Sequence, residues 1–301
     1  MLYPNPSRPA AFRRPRLLIV GCGDVGLRVA RALQGRFRLR GLTSQAGRCN
    51  ELRAAGITPL VGNLDAPASL ARLAALAPWA LHLAPPPGEG YVDTRTRHLL
   101  AALGLSTALR RLVYASTTGV YGDTGGARFD ETRPTAPRNA RAHRRVDAEQ
   151  RVRWAGRAFG WRTSILRIPG IYAPDRPGGH PRERLLKRSP VLAADDDVYT
   201  NHIHADDLAR ACIAALFRGR SQRVVHACDD TDMKMGDYFD LAADLCGLPR
   251  PERVSRAEAA QRLSPMQMSF MSESRRLLNQ RLKRELRLRL RYATVREGLA
   301  P

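Results

Sequence analysis

Leu17-Leu18-Ile19-Val20-Gly21-Cys22-Gly23-Asp24-Val25-Gly26 is the stretch on which the fold turns. An aliphatic run ends in a Gly-x-Gly-x-x-Gly turn, after which Val25, Val29 and Leu33 fall on one face of a helical pattern. Three glycines at that spacing, between a buried strand and a helix, have separate duties. Gly21 makes the tight turn, Gly23 lacks the Cβ that would hold a pyrophosphate off the backbone, and Gly26 lets helix and strand pack closely. The free N–H groups at the helix start face the anion. A turn that merely joins strand to helix is the plainer alternative. The apolar strand before it and the amphipathic helix after it favour dinucleotide binding by Gly21, Cys22, Gly23, Asp24, Val25 and Gly26.

Outward from this turn, Arg38 to Leu42 reads as a second strand. An acidic residue at its end usually holds the adenosine ribose 2′-OH. Thr43 and Ser44 stand there instead, with Arg40 and Arg48 close by. No carboxylate would repel a 2′-phosphate and cations are at hand, so the expected cofactor is NADP rather than NAD. A helix (49–55), a strand near 58–61, a helix over 68–76, the strand 79–84, a helix over 93–103 and the strand 111–115 follow. Strands alternating with helices at this rhythm predict a parallel sheet covered on both faces. Successive prolines at 85–87 stop the fourth strand, and His82 within it reads as a core histidine.

The chain has 301 residues and a net charge of +22, with lysine only at 187, 234 and 283. Nucleic-acid binding is one reading of that charge. The arginines are scattered and little aromatic content is interleaved with them, which favours a compositional bias and an anionic small-molecule ligand. No run approaches the roughly 18 apolar residues of a membrane span. The first 16 residues lack the apolar core of a secretory signal, so a cytoplasmic protein with a flexible basic tail is expected. The five cysteines include no Cys-x-x-Cys pair, which suits reduced thiols rather than a disulfide framework or zinc site.

At Ser116-Thr117-Thr118-Gly119-Val120-Tyr121-Gly122 a strand ends in Ser-Thr-x-x-Val-Tyr-Gly. With the glycine turn, Gly62-Asn63-Leu64-Asp65, His82-Leu83-Ala84, Leu166-Arg167-Ile168-Pro169-Gly170-Ile171-Tyr172 and Asn201-His202-Ile203-His204-Ala205-Asp206-Asp207, it resembles the extended short-chain dehydrogenase/reductase family. These are the NAD(P)-dependent sugar epimerases and dehydratases, and the atypical members are the nearest in pattern. The resemblance implies a Rossmann-type doubly wound parallel sheet with a smaller, mostly C-terminal substrate-side subdomain. On this reading residues 16–170 and 200–228 bind the dinucleotide, and 171–199 and 229–301 form the smaller part. It also places Asn63, Leu64, Leu83, Ala84, Ile168 and Pro169 beside the cofactor, with Thr43 and Ser44.

The family's Tyr-x-x-x-Lys helix is missing. With Glu149 as anchor, Arg145 falls at the lysine and Arg141 at the tyrosine. Guanidinium stays protonated and cannot exchange the phenol's proton. Arg145 can still hold a ribose or phosphate. Thr117, at the family's Ser/Thr position, and His143, whose ordinary pKa is near neutrality, are the candidate substitutes. Tyr121 has packing as its plainer role. The candidate catalytic set is Thr117, His143 and Arg145.

Arg182, Arg184, Lys187 and Arg188 fit an anionic substrate and equally a solvated helix face. His202, His204, Asp206 and Asp207 suggest a metal on composition, but a strand feeding a helix with acids at its positive end explains them better, and no metal is expected. Met233, Met235, Met266, Met268 and Met271 read as packing. From Ser272, leucines recur every four residues among arginines, then alternate over 286–291 with a strand's period. The expected partners are a small substrate and a second copy of the chain, with neither nucleic acid nor membrane. The reading is an NAD(P)-binding oxidoreductase or epimerase with an atypical site; a non-catalytic NADP sensor is the alternative, and a nucleic-acid-binding protein the third.

Overall fold

The computed structural model describes residues 14–300; the expected basic tail lies outside the described residues as far as residue 13, as does the Met266 side chain. Seven strands form the central sheet: β1 (Arg16–Val20), β2 (Arg38–Thr43), β3 (Ile57–Val61), β4 (Trp79–His82), β5 (Arg111–Thr117), β6 (Arg162–Ile168) and β7 (Arg223–His226). The order is β3-β2-β1-β4-β5-β6-β7, with every ladder parallel. The strand order reverses between β1 and β4, where a doubly wound sheet opens a crevice at the carboxyl ends of its strands.

Six helices of this chain bear on the site: α1 (Asp24–Leu33), α2 (Cys49–Ala54), α3 (Thr94–Gly104), α4 (Ala140–Ala158), α5 (Ala205–Arg218) and α6 (Met235–Cys246). β1 shows why both faces are covered. Leu17 and Ile19 pack with Val29 and Leu33 of α1 and Leu208 and Cys212 of α5. Leu18 and Val20 pack on the other face with Leu99 and Leu103 of α3 and Ala148 and Val152 of α4. A strand buried on both sides needs an unbroken apolar run, which is what β1 has. A separate apolar cluster gathers Tyr172, Leu185, Val191 and Val198 with Phe239 and Ala242 of α6, Val254, Met271, Val295 and Leu299.

Two segments differ from the sequence expectation. The helix expected over 68–76 is a 3₁₀ run, Pro67–Leu73. Its buried residues, Leu70 and Leu73, are three apart, which suits three residues per turn. Near the C-terminus only Gln280–Arg284 is helical in the leucine-arginine stretch. Beyond it Leu286 and Leu288 are buried while Arg287 and Arg289 are exposed. The period-two pattern therefore governs burial, but among the described residues no strand pairs with this segment. Met235 and Met271 are buried, and Met233 and Met268 pack against the same cluster.

Candidate functional site

The glycine turn divides its duties by position. Gly21 has φ +96°, and a Cβ there would lie 2.5 Å from the Ala84 nitrogen. That crowding arises because the N–H groups of Leu83 and Ala84 both donate to the Val20 carbonyl, at 2.7 and 3.0 Å. A Cβ on Gly26 would lie 2.7 Å from the Gly21 carbonyl oxygen, whereas one on Gly23 would meet nothing within 4 Å. Open space thus lies over Gly23, at the start of α1, whose first N–H groups receive no side-chain cap from Gly23. A pyrophosphate fits that combination. Cys22 is buried, its Sγ 3.6 Å from the Ile19 carbonyl, and burial pushes its thiol up to about 11, so it is not a reactive thiolate.

At the end of β2, Thr43 is buried and Ser44 exposed; the Thr43 hydroxyl accepts from the Gln45 N–H. Arg48 Nη2 donates to the Cys22 carbonyl at 2.9 Å while the same guanidinium holds Glu51. The segment around Arg48 therefore lies against the glycine turn. Asn63 is exposed just beyond β3, its Oδ1 accepting from the Asp65 N–H. Leu64 is buried, and its carbonyl is 2.8 Å from His98 Nδ1.

Thr117 and Arg145 meet at the carboxyl end of β5. Thr117 is half-buried, pairs in register with Ile168 of β6, and its Oγ1 accepts from the Gly119 N–H. Pro169 follows directly. Arg145 Nη1 donates to the Ala115 carbonyl at 2.9 Å and to the Tyr114 hydroxyl at 3.0 Å. His143 is exposed, and its ring lies 5.4 Å from that of Tyr91. Arg141, at the family's tyrosine position, is also exposed, with its guanidinium 6.0 Å from the Phe270 ring. Tyr121 is buried. His226 Nδ1 lies 3.0 Å from the Leu278 carbonyl, so it carries the proton and Nε2 accepts from the Tyr121 hydroxyl at 2.5 Å. That phenol packs structurally rather than lining the cleft.

Ionic partners, most of them distant in sequence, complete the neighbourhood. Arg28 of α1 holds Asp24, Asp175 and Asp206 at 3.0, 2.6 and 2.5 Å, and Arg176 holds Asp24 at 2.7 Å. Glu149 accepts from Ser116 at 2.6 Å and from Arg167 at 2.6 Å, all buried. His82 is fully buried with Nε2 2.9 Å from the Thr96 hydroxyl. Burial first, then the nearby Arg145 charge, push its imidazole down to about 3. His204 caps α5 by accepting from the Asp206 N–H, and Asp207 accepts from the N–H groups of Arg291 and Tyr292. His202 stacks on Tyr238. Arg184 and Lys187 line a pocket of about 180 Å³ with His180 and Gln267; Arg182 and Arg188 are exposed.

A doubly wound sheet with a glycine turn open over Gly23 is the architecture of a nicotinamide-dinucleotide-binding Rossmann domain. The profile of the NAD dependent epimerase/dehydratase family matches residues 17–228, and the chain belongs to that family. It is 30% identical to a UDP-glucose 4-epimerase of Azospirillum brasilense over 153 residues, 43% of this chain and 44% of that protein. The chain spans about half the length of the curated relatives it matches. Over 95% of this chain and 96% of the other, it is 32% identical, with TM-score 0.79, to a functionally unknown conserved protein from Silicibacter pomeroyi. A dTDP-glucose 4,6-dehydratase from Bacillus anthracis, solved in complex with NAD, has the same fold at 17% identity. Its TM-score is 0.75, covering 95% of this chain and 94% of that one. No helix among the described residues is long and apolar enough to cross a membrane.

Proposed function

We propose that this chain is a nicotinamide-dinucleotide-dependent oxidoreductase or epimerase acting on a small oxygenated substrate, without the Tyr-x-x-x-Lys pair. The observation that carries it is the open space over Gly23 at the start of α1, together with Thr117 at the carboxyl end of β5 and Arg145 of α4 held to the Ala115 carbonyl of that strand. Residues 16–170 and 200–228 would hold the cofactor, with 171–199 and 229–301 on the substrate side. When bound, the cofactor supplies hydride exchange. Ile168 and Pro169 would border its nicotinamide end, Leu83 and Ala84 its middle, and Asn63 and Leu64 its adenine end. Arg145 would hold the ribose through the guanidinium edge not used on Tyr114 and Ala115. The Thr117 hydroxyl, which accepts from Gly119, retains a proton to donate to a substrate oxygen.

We read the cofactor as NADP. The end of β2 offers Thr43 and Ser44 in place of a carboxylate, and Arg48 is held against the glycine turn. The substrate is read as anionic, on the strength of Arg184 and Lys187 around one pocket. A cytoplasmic homodimer completes the proposal. Much of the positive charge has structural uses, as with Arg111, Arg218 and Arg281 donating to backbone carbonyls, and nucleic acid is not a proposed partner.

A sensor without turnover is the second reading, favoured by one observation: Arg141 stands where the phenol belongs, and His143 faces Tyr91. Fluorescence titration with NADPH and NADH tests both readings, with NADPH expected to bind tighter. Binding of neither overturns them together. Bound NADPH that is never oxidised across a panel of keto and hydroxyl sugars selects the sensor.

A further inference from the structure

The N-terminal end of α4 carries three cations on one face. Arg141, Arg144 and Arg145 are spaced i, i+3 and i+4, so their side chains are neighbours on the helix surface. Asn139 caps the helix by accepting from the Ala142 N–H, and its first turn holds no acidic residue. Cations at the positive end of a 19-residue helix oppose both the helix dipole and one another. A sequence tolerates such an arrangement where it serves something other than the stability of the helix.

Among the described residues no carboxylate forms an ion pair with any of the three. Asp147 accepts from Arg151 and from the Asp93 N–H. Glu149 is taken by Ser116 and Arg167, and Asp93 by Thr96. Arg144 is only 6% exposed; its Nη1 donates to the Gly90 carbonyl, but its buried Nε meets no acceptor. The buried Nε of Arg145 also meets none. Among the described residues Arg141 makes no hydrogen bond or ion pair, and its guanidinium faces the Phe270 ring. Although its surface is exposed, partial loss of hydration first, then the charges of Arg145 and Arg144, push its guanidinium below its ordinary value. Two buried donors without acceptors, beside a cation with only an aromatic face, are a donor set awaiting an anion.

We infer that Arg141 and Arg144, with the positive charge of Arg145 beside them, receive an anionic group, a carboxylate or phosphate carried by the substrate, at the nicotinamide end of the cofactor site. Its location beside the cofactor rests on the proposed dinucleotide-dependent reading; the anion site itself rests on the three arginines alone. On this inference α4 has exchanged the family's proton-handling tyrosine for an anion receptor. Binding of the anion would draw Arg141 away from Phe270.

The test uses the full chain, with inorganic phosphate and malonate as probes, titrated calorimetrically in chloride buffer of low ionic strength. Both are expected to bind saturably, also with the dinucleotide site filled by NADPH, and Arg141→Gln is expected to weaken them by roughly tenfold or more. Arg141→Gln should also raise the thermal midpoint in phosphate-free buffer, since it relieves repulsion at the helix start, and it should lose the rise that phosphate gives the wild type. A midpoint that falls while phosphate still stabilises overturns the inference, as does unchanged affinity in Arg141→Gln or absence of saturable binding in the wild type. Arg144→Gln, if it folds, shows the same loss. NADPH that competes with phosphate assigns the arginines to the cofactor's own phosphates and overturns the substrate assignment. NADPH that does not bind at all overturns the dinucleotide reading and leaves the phosphate result standing by itself.

Discussion

Arg176 Nη1 lies 2.7 Å from Asp24 Oδ2, which fastens the loop after β6 to the first residue of α1. Asp24 stands at the positive end of that helix, where the pyrophosphate is read to sit. An unneutralised carboxylate there would repel the phosphate. Arg176 from one side and Arg28 from the other remove that objection, and Arg28 extends the network to Asp175 and Asp206.

Arg28→Ala leaves three carboxylates facing one another without their shared cation. Breaking a fully buried pair costs about 3–5 kcal/mol. Asp175 is mostly exposed and Asp206 partly so, so the expected loss is smaller, about 2 kcal/mol in urea unfolding. Arg28 holds the Asp175 carboxyl below its ordinary value, chiefly through their hydrogen bond. That contribution is present above the unfolded carboxylate's pKa, about 4, and is lost as pH falls through the lower folded value. The variant should therefore show a shallower acid limb. An unaltered urea midpoint would remove the network from the account of stability.

Two neighbouring glycines should respond in opposite ways to the same methyl group. Gly23→Ala places its Cβ in open space, at φ −81°, so stability should hold within about 0.5 kcal/mol. NADPH affinity should fall by roughly tenfold or more, because the methyl takes the phosphate's place. Gly26→Ala drives its Cβ into the Gly21 carbonyl and should destabilise by about 1–3 kcal/mol. Paired melting curves and fluorescence titrations separate the two. Unchanged NADPH affinity in Gly23→Ala would move the pyrophosphate elsewhere.

Arg145→Ala should weaken NADPH by roughly tenfold, while Thr117→Val should bind it normally and lose turnover. Intact cofactor affinity in Arg145→Ala would show that α4 does not contribute to the ribose site. Full turnover in Thr117→Val would release the hydroxyl from proton transfer.

His202 offers a pH test. Burial pushes its imidazole down to about 3, below the unfolded value of about 6.5. The unfolded chain therefore takes up a proton on acidification that the folded one refuses, and stability falls as pH drops from about 6.5 toward 3. Between pH 6.5 and 5 the wild type should lose about 2 kcal/mol more than His202→Gln in denaturant unfolding. Asp229, whose N–H donates to the His202 carbonyl and whose carboxyl burial pushes up to about 7, acts in the opposite sense. It is present in both proteins, so it cancels in the comparison. Equal losses would mean that His202 titrates freely in the folded protein.

The sheet and its motifs were legible because each is local. The aliphatic run of β1, the glycines after it and the strand ending at Thr117 declare themselves within a few residues, and the order of the motifs gave the rest. The 68–76 segment misled because a helix and a 3₁₀ run bury leucines at nearly the same spacing. Arg141 and Arg145 were readable as substitutions at known positions. The contacts they make were not: Phe270 is 129 positions from Arg141, and neither residue signals the other.

The sequence alone determined that a parallel sheet carries a glycine turn between its first strand and helix, since strand burial and turn geometry depend on residue type at short spacing. Tertiary structure decided which charges remain free to act. Arg28 is spent on Asp24, Asp175 and Asp206, Arg167 on Glu149, and Arg48 on Glu51, while Arg141, Arg144 and Arg145 find no carboxylate among the described residues. An ion pair depends on distance in space: Arg48–Glu51 and Arg28–Asp24 are three and four residues apart, but Arg28 meets Asp175 and Asp206, and Arg167 meets Glu149, only when α1, α4, α5 and β6 pack together.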